Sequence, residues 1–451
     1  MLASNAKDTA EVIVEFCEDK GLPFRKAFSS EHLTRLFEKY KIDFRDRIMP
    51  PDVTLMAFCS QLIDKDRSCK EAVSRINHDR DIQGLAKASS STSAYCQSRA
   101  KLPLGLIRDL ARDTARFLEE ESDGSWFWHE RHLKIIDGST LSMPDTAANQ
   151  DRWPQHGKQQ EGVGFPIMRV VAVTSYATGG ILDFAYGPWR GKETGEHALA
   201  RQVLDSLKNR DVLLADRYYC SYFFIASLRE KDVDLVTRIH GARDYDFRSG
   251  RKLGIGDHVV ELQKPPKPCW MDKTEYDSIP STLTVREVKV DGSGEEEIVV
   301  VTTLIDPVKY SRSELASVYK KRWHIELDLR SIKSVMGMDI LSCKTPDMIE
   351  KEVWTYILSY NLVRQLICQA ASKHKIEPRT ISFTGALQTF NVYQAGFRFC
   401  DAETNRRMYE SMLDLIASHR IGNRPGRKEP KAVKRRPKAY AKLTVPREEW
   451  R

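Results

Sequence analysis

Two short apolar runs, each closing on an acid, constrain the fold most: Leu133-Lys134-Ile135-Ile136-Asp137 and Val212-Leu213-Leu214-Ala215-Asp216. Short apolar runs bounded by turn signals read as buried strands. Residues 166–176 and 181–186 read as two further strands flanking Gly179-Gly180, a hairpin signal. Residues 196–207 and 221–229 carry helical spacing, and 235–239 is another strand. The order over 133–239 is therefore strand, hairpin, helix, strand, helix, strand, which predicts a mixed α/β fold. A hydrophobic fraction of 41% supports a real core and excludes a disordered or collagen-like chain. No stretch reaches the roughly 18 consecutive apolar residues of a membrane helix.

The flanks have a different texture. Residues 1–130 read as a polar-faced helical module, with segments at 10–16, 33–40, 93–99 and 104–118. Ser89-Ser90-Ser91-Thr92 supplies an expected N-cap for the segment at 93–99. Residues 240–305 are rich in Pro and Gly and carry β-like pieces at 259–262, 283–290 and 298–305. A long helix is predicted over 313–338 and another over 350–372, followed by a helical segment within 376–419.

The charge is concentrated at one end. The chain carries 71 Lys+Arg against 63 Asp+Glu, a net +8. Residues 420–451 hold twelve basic and three acidic side chains, a net +9, so the preceding 419 residues carry −1. Prolines 425, 430, 437 and 446 argue against a helix there. An extended basic arm of this kind binds phosphates without reading sequence, by counterion release. The nine scattered cysteines lack any C-x-x-C and read as reduced thiols. With no signal-peptide pattern after Met1, a cytoplasmic, nucleoid-associated protein is expected.

Asp137 and Asp216 stand where strands end and side chains become accessible, though such acids also begin turns. The sharper element is Tyr319-Lys320-Lys321-Arg322-Trp323-His324-Ile325-Glu326-Leu327-Asp328-Leu329-Arg330-Ser331-Ile332-Lys333. On one continuous helix Tyr319, Arg322, Glu326, Arg330 and Lys333 fall within roughly 80° of each other, with Trp323 beside them. Val318, Ile325, Leu329, Ile332 and Met336 form a separate apolar stripe that would pack on the sheet. A surface ladder Arg322–Glu326–Arg330 accounts for the charges but not for the aromatic pair. An acid ringed by Tyr, Arg, Trp and Lys suits a metal-dependent phosphodiester site: the acid holds a cation, the bases clamp phosphate, and the aromatics stack on a base.

Asp137 in Ile-Ile-Asp-Gly-Ser-Thr, Asp216 in Leu-Leu-Ala-Asp-Arg, and Tyr319-x2-Arg322-x3-Glu326-x6-Lys333 together resemble the DDE transposases of bacterial insertion sequences, in the Y-R-E-K-bearing insertion-sequence-four family. The spacings agree: 216 − 137 = 79 and 326 − 216 = 110. The resemblance implies a ribonuclease H-like catalytic core in two parts, 131–239 and 306–375, interrupted by the β-rich insertion 240–305. It also implies a DNA-binding N-terminal module at 1–130, a helical segment at 376–419 and a basic tail at 420–451. Asp137, Asp216 and Glu326 would bind two divalent ions, Mg2+ with Mn2+ able to substitute. Tyr319, Arg322, Arg330 and Lys333 would hold DNA phosphates, and Trp323 would stack on a flipped base at a hairpin-bearing transposon end. The implied partners are double-stranded DNA, as terminal inverted repeats and as target, and a second copy of the chain in a homodimeric synaptic complex. Two further functions are open: a catalytically silent domesticated DNA-binding protein, and a ribonuclease H-like nuclease without strand transfer.

Several tempting residues are set aside. Glu193, Glu196 and His197 stand where a helix begins, and acids are favourable there. Trp270 is a second, weaker candidate for stacking on the flipped base, with packing within the insertion slightly favoured. Asp145 and Asp183 are spare acids. Asp328 lies roughly 160° around the helix from Glu326, and His324 is off the polar stripe. Gly254-x-Gly256 is too short for a nucleotide-binding loop.

Overall fold

The computed structural model describes residues 29–422 and 449, apart from 43–47, 83, 158–159, 161, 292–296, 395 and 399–401. The expected helix at 10–16 and nearly all of the basic tail lie outside the described residues. Among the described residues five helices precede the sheet: α1 (Ser30–Lys39), α2 (Pro51–Ile63), α3 (Cys69–Ile82), α4 (Ser93–Lys101) and α5 (Leu104–Glu120). Thr92 is the N-cap residue of α4, but its side chain makes no capping bond, contrary to expectation.

The sheet begins with β1 (Leu133–Ser142), followed by the short helix α6 (Ala147–Arg152), β2 (Ile167–Ser175) and β3 (Ile181–Pro188). Next come α7 (Glu196–Val203), β4 (Val212–Leu214), α8 (Tyr222–Glu230) and β5 (Asp234–Arg238). Four more strands follow, β6 (Arg251–Gly254), β7 (Asp257–Gln263), β8 (Thr282–Asp291) and β9 (Glu297–Thr302), with α9 (Lys273–Ser278) between β7 and β8. The chain then forms α10 (Arg312–Lys320), α11 (His324–Arg330), the 29-residue α12 (Pro346–His374), α13 (Phe383–Tyr393) and α14 (Ala402–Ser418). No helix among the described residues is long and apolar enough to cross a membrane.

The nine strands among the described residues join one mixed sheet in the order β3-β2-β1-β4-β5-β9-β8-β7-β6. The β1–β2 and β2–β3 pairs are antiparallel, whereas β1–β4 and β4–β5 are parallel. The strands of the 240–305 region do not form a separate sheet. They extend the central one, because β9 pairs antiparallel with β5. At the expected hairpin, Gly179 adopts φ +74, and the Arg364 guanidinium fills the space its Cβ would need.

The apolar runs have no polar alternation because both faces of the sheet are covered. Ile135, Val212, Leu214 and Val236 belong to one core with residues of α2, α5, α11 and α12. Ile136, Leu213, Ala215 and Leu235 belong to a second core with residues of α7 and α8. Successive strand residues thus alternate between the two cores, as the period of two requires.

Candidate active site

The two aspartates are brought together by strand register. β1 and β4 run parallel with Leu133 opposite Val212 and Ile135 opposite Leu214, an offset of 79 residues. That is also 216 − 137, so Asp137 and Asp216 stand at matching positions, each two residues beyond the last pair, Ile135 and Leu214. Asp137 does not end its strand, as the sequence suggested. β1 continues to Ser142 against β2, while its pairing with β4 stops at Ile135. Asp137 therefore sits where one side of β1 opens. Asp216 caps a single 3-10 turn, accepting a bond from the Tyr218 amide at 2.8 Å. Asp137 has the parity of Ile135, and Asp216 that of Leu214, which places both on the face covered by α11.

The helix carrying the Y-R-E-K residues starts at Ser311, whose side chain forms a capping box with Glu314. It is not the continuous helix predicted. α10 passes through a 3-10 turn at Lys321–Trp323 into α11, which ends in a π-turn at Ser331–Val335. The expected apolar stripe is real: Val318, Ile325, Leu329, Ile332 and Met336 are all buried in the core that contains Ile135. The polar residues part company. Arg322 pairs with Glu326 at 3.5 Å. Arg322 also draws the Asp137 carboxyl down, and Tyr319 senses both Arg322 and Asp216. Lys333, displaced by the π-turn, donates to Ser139 Oγ at 2.7 Å and to the Thr140 carbonyl at 2.9 Å, just beyond Asp137 on β1. Trp323 is 57% exposed. Arg330 is exposed and takes no part in these contacts.

Burial, and next to it the like charges of Glu196 and Asp216, push the Asp137 carboxyl up to about 6, against the opposing pull of the Gly138 amide and Arg322. Among the described residues no three His, Cys, Asp or Glu side chains are grouped as a ready-made metal cage, and Glu326 is turned onto Arg322. The donor set nevertheless fits a hard divalent cation. It consists of carboxylate oxygens that repel one another without one, on β1 and on the turn after β4, faced by the Glu326 helix.

The upward shift of Asp137, due chiefly to burial, has a measurable consequence. A carboxyl raised above its ordinary value binds protons more tightly when folded, so the folded state loses stability as pH rises toward about 6. Asp137→Asn is expected to stabilise the metal-free protein at pH 8 by roughly 2 kcal/mol, the gain fading below pH ~5. Thermal unfolding in EDTA at both pH values checks this; equal gains at the two would contradict it.

Residues set aside on sequence grounds fall into two groups. Asp328 points away from Glu326, buried and paired with Arg379 at 2.5 Å. His324 is held near 4 chiefly by burial, edge-on to Tyr176. Trp270 packs edge-on to Phe223, with Arg201 over its ring at 3.8 Å. Glu196 is different. It does not serve merely as a favourable helix-start acid, because its carboxyl rests on Gly138 and accepts the Tyr219 hydroxyl at 2.8 Å. The available signal was the small residue after one aspartate and the tyrosine three residues after the other.

Residues 128–362 match the family model described as "Transposase DDE domain". The chain belongs to that family. This DNA transposase is 24% identical over 411 residues to the transposase InsG of insertion sequence element IS4 from Escherichia coli strain K12, covering 90% of each chain. It is also 24% identical over 196 residues to the putative transposase InsZ of the same organism, covering 42% of this chain and 60% of that one. A solved chain from a piggyBac transposase synaptic complex with hairpin DNA aligns over 90% of this transposase and 86% of its own length, with 11% identity and a TM-score of 0.45. As a DDE enzyme, the transposase depends on divalent metal.

Proposed function

We propose that this transposase binds the ends of its own element, cleaves them through a DNA hairpin with Mg2+, and joins them to target DNA by cut-and-paste. The observation that carries the reading is the register match of Asp137 and Asp216 on the face toward the Glu326 helix. Asp137, Asp216 and Glu326 would hold two divalent ions. When bound, such ions supply Lewis-acid stabilisation of charge on the attacking and departing oxygens.

The remaining groups bind and orient DNA. Arg322, which pairs with Glu326 at 3.5 Å, would offer a planar fork to a phosphate. Tyr319 lies half-buried beside Arg322 and contributes a hydroxyl. Lys333 is held close to β1 by Ser139 and Thr140, and its ammonium adds a point charge there. Exposed Trp323 offers a platform for an unstacked base, and Arg330 adds an outer contact. A ribonuclease H-like core is supported by an antiparallel β1–β3 unit with β4 and β5 parallel to β1. The assignments outside the site are that residues 1–130 read the terminal repeats, that 420–451 bind phosphates without sequence preference, and that two copies act in the synapse.

With duplex transposon-end DNA and Mg2+, a denaturing gel is expected to show the released end as a hairpin, a covalently joined strand of about twice the length of one released strand. Released ends that stay linear throughout the time course would refute the hairpin route. Flank release without joining to a target plasmid would favour a nuclease lacking strand transfer.

A further inference from the structure

Glu196 is the first residue of α7, which packs on the face of the sheet opposite α11. Its carboxyl does not extend along the helix start into solvent. It lies against Gly138, so closely that a Cβ there would come within 2.5 Å of its Cδ and 2.8 Å of each oxygen. The residue after Asp137 therefore has to be glycine while this carboxylate is in place. On its other side, Glu196 Oε1 accepts the hydroxyl of Tyr219 at 2.8 Å, and the Tyr219 ring is fully buried. Tyr219 closes the 3-10 turn that Asp216 caps. One side chain thus touches the strand beside Asp137 and the turn beside Asp216, from behind both.

We infer that Glu196 is a positioning residue of the metal centre. It clamps the Asp137–Gly138 strand against the Asp216–Tyr219 turn and adds a fourth negative charge behind the carboxylates that face α11. This inference rests on the reading of Asp137 and Asp216 as metal ligands. Groups that back the ligands of a metal site typically change its metal affinity by about 10- to 100-fold when altered. The clamp also fixes how far apart the two strand ends sit, and a site that must bind cations gains affinity from an additional anion beside it.

The test is direct Mn2+ binding to the full-length protein without DNA, read from the electron paramagnetic resonance signal of free Mn2+. Glu196→Gln keeps the shape and the acceptor for Tyr219 while removing the charge. It is expected to weaken Mn2+ binding about tenfold and to move the Mg2+ midpoint for cleavage upward by a similar factor, with cleavage recovering at high Mg2+. Circular dichroism and affinity for transposon-end DNA should stay at parental values. Tyr219→Phe, which releases the clamp while leaving the charge, should weaken Mn2+ binding by a smaller factor, and it carries the test if the first variant fails to fold. Parental Mn2+ affinity in Glu196→Gln would reduce Glu196 to a packing residue and overturn the inference. Asp216→Ala is the companion: if it too kept parental affinity, the ligand reading itself would fall, whereas loss there with no change in Glu196→Gln would sink the Glu196 role alone.

Discussion

Asp216→Ala is expected to lower cleavage of transposon-end DNA by about 10³-fold or more, a loss of roughly 4 kcal/mol of transition-state stabilisation. The carboxylate stands two residues beyond β4, on the turn that follows it, at the position matching Asp137 on β1. The replacement touches little else. β4 ends at Leu214, and the Ala215 amide still donates to the Val236 carbonyl at 3.1 Å. The Tyr218 amide loses its acceptor, a capping loss of about 1 kcal/mol. The variant should therefore fold and retain end binding within a few-fold by gel shift, while single-turnover cleavage disappears. Cleavage persisting at parental rates would remove Asp216 from the metal centre. Loss of end binding together with cleavage would mean that the residue acts on DNA docking instead.

Much of this site was legible in the linear sequence because strand register turns a separation into a contact. The 79-residue gap between Asp137 and Asp216 equals the β1–β4 offset, so two acids closing two apolar runs were bound to meet once those strands paired. The apolar stripe Val318–Ile325–Leu329–Ile332 was equally readable, since helical spacing alone aims it at the sheet. The polar stripe was not. A uniform turn per residue put Arg330 and Lys333 side by side, but the π-turn at Ser331–Val335 changes the angle between them. Lys333 consequently reaches β1 while Arg330 faces solvent. Periodicity also could not say that β9 would pair with β5 and merge the 251–302 strands into the central sheet. Such pairing depends on contacts far apart in the chain. Glu196 was missed for the same reason: its helix-start position has a sufficient local explanation, and only the fold sets it on Gly138.

Arg379→Met should destabilise the protein by about 3–5 kcal/mol, because it strands a buried charge. Asp328 and Arg379 are both almost fully buried and pair at 2.5 Å. Arg379 also donates to the carbonyls of Ser175 and Tyr176 at 2.8 and 2.6 Å, tying the end of β2 to α11. Without the guanidinium, Asp328 retains only the Tyr360 hydroxyl at 3.1 Å, in surroundings that cannot solvate a carboxylate. Asp328 lies two residues from Glu326 on a seven-residue helix, so a shift that rescues the stranded acid also moves the proposed ligand. Cleavage is expected to fall with stability in this variant. Asp328→Leu combined with Arg379→Met removes both charges and should recover most of the lost stability, since buried pairs replaced together by apolar groups are often neutral. Urea unfolding of the parent, Asp328→Leu, Arg379→Met and the double variant measures the cycle. If the double variant were as unstable as Arg379→Met alone, the loss would come from the severed β2 carbonyl contacts and not from an uncompensated carboxylate.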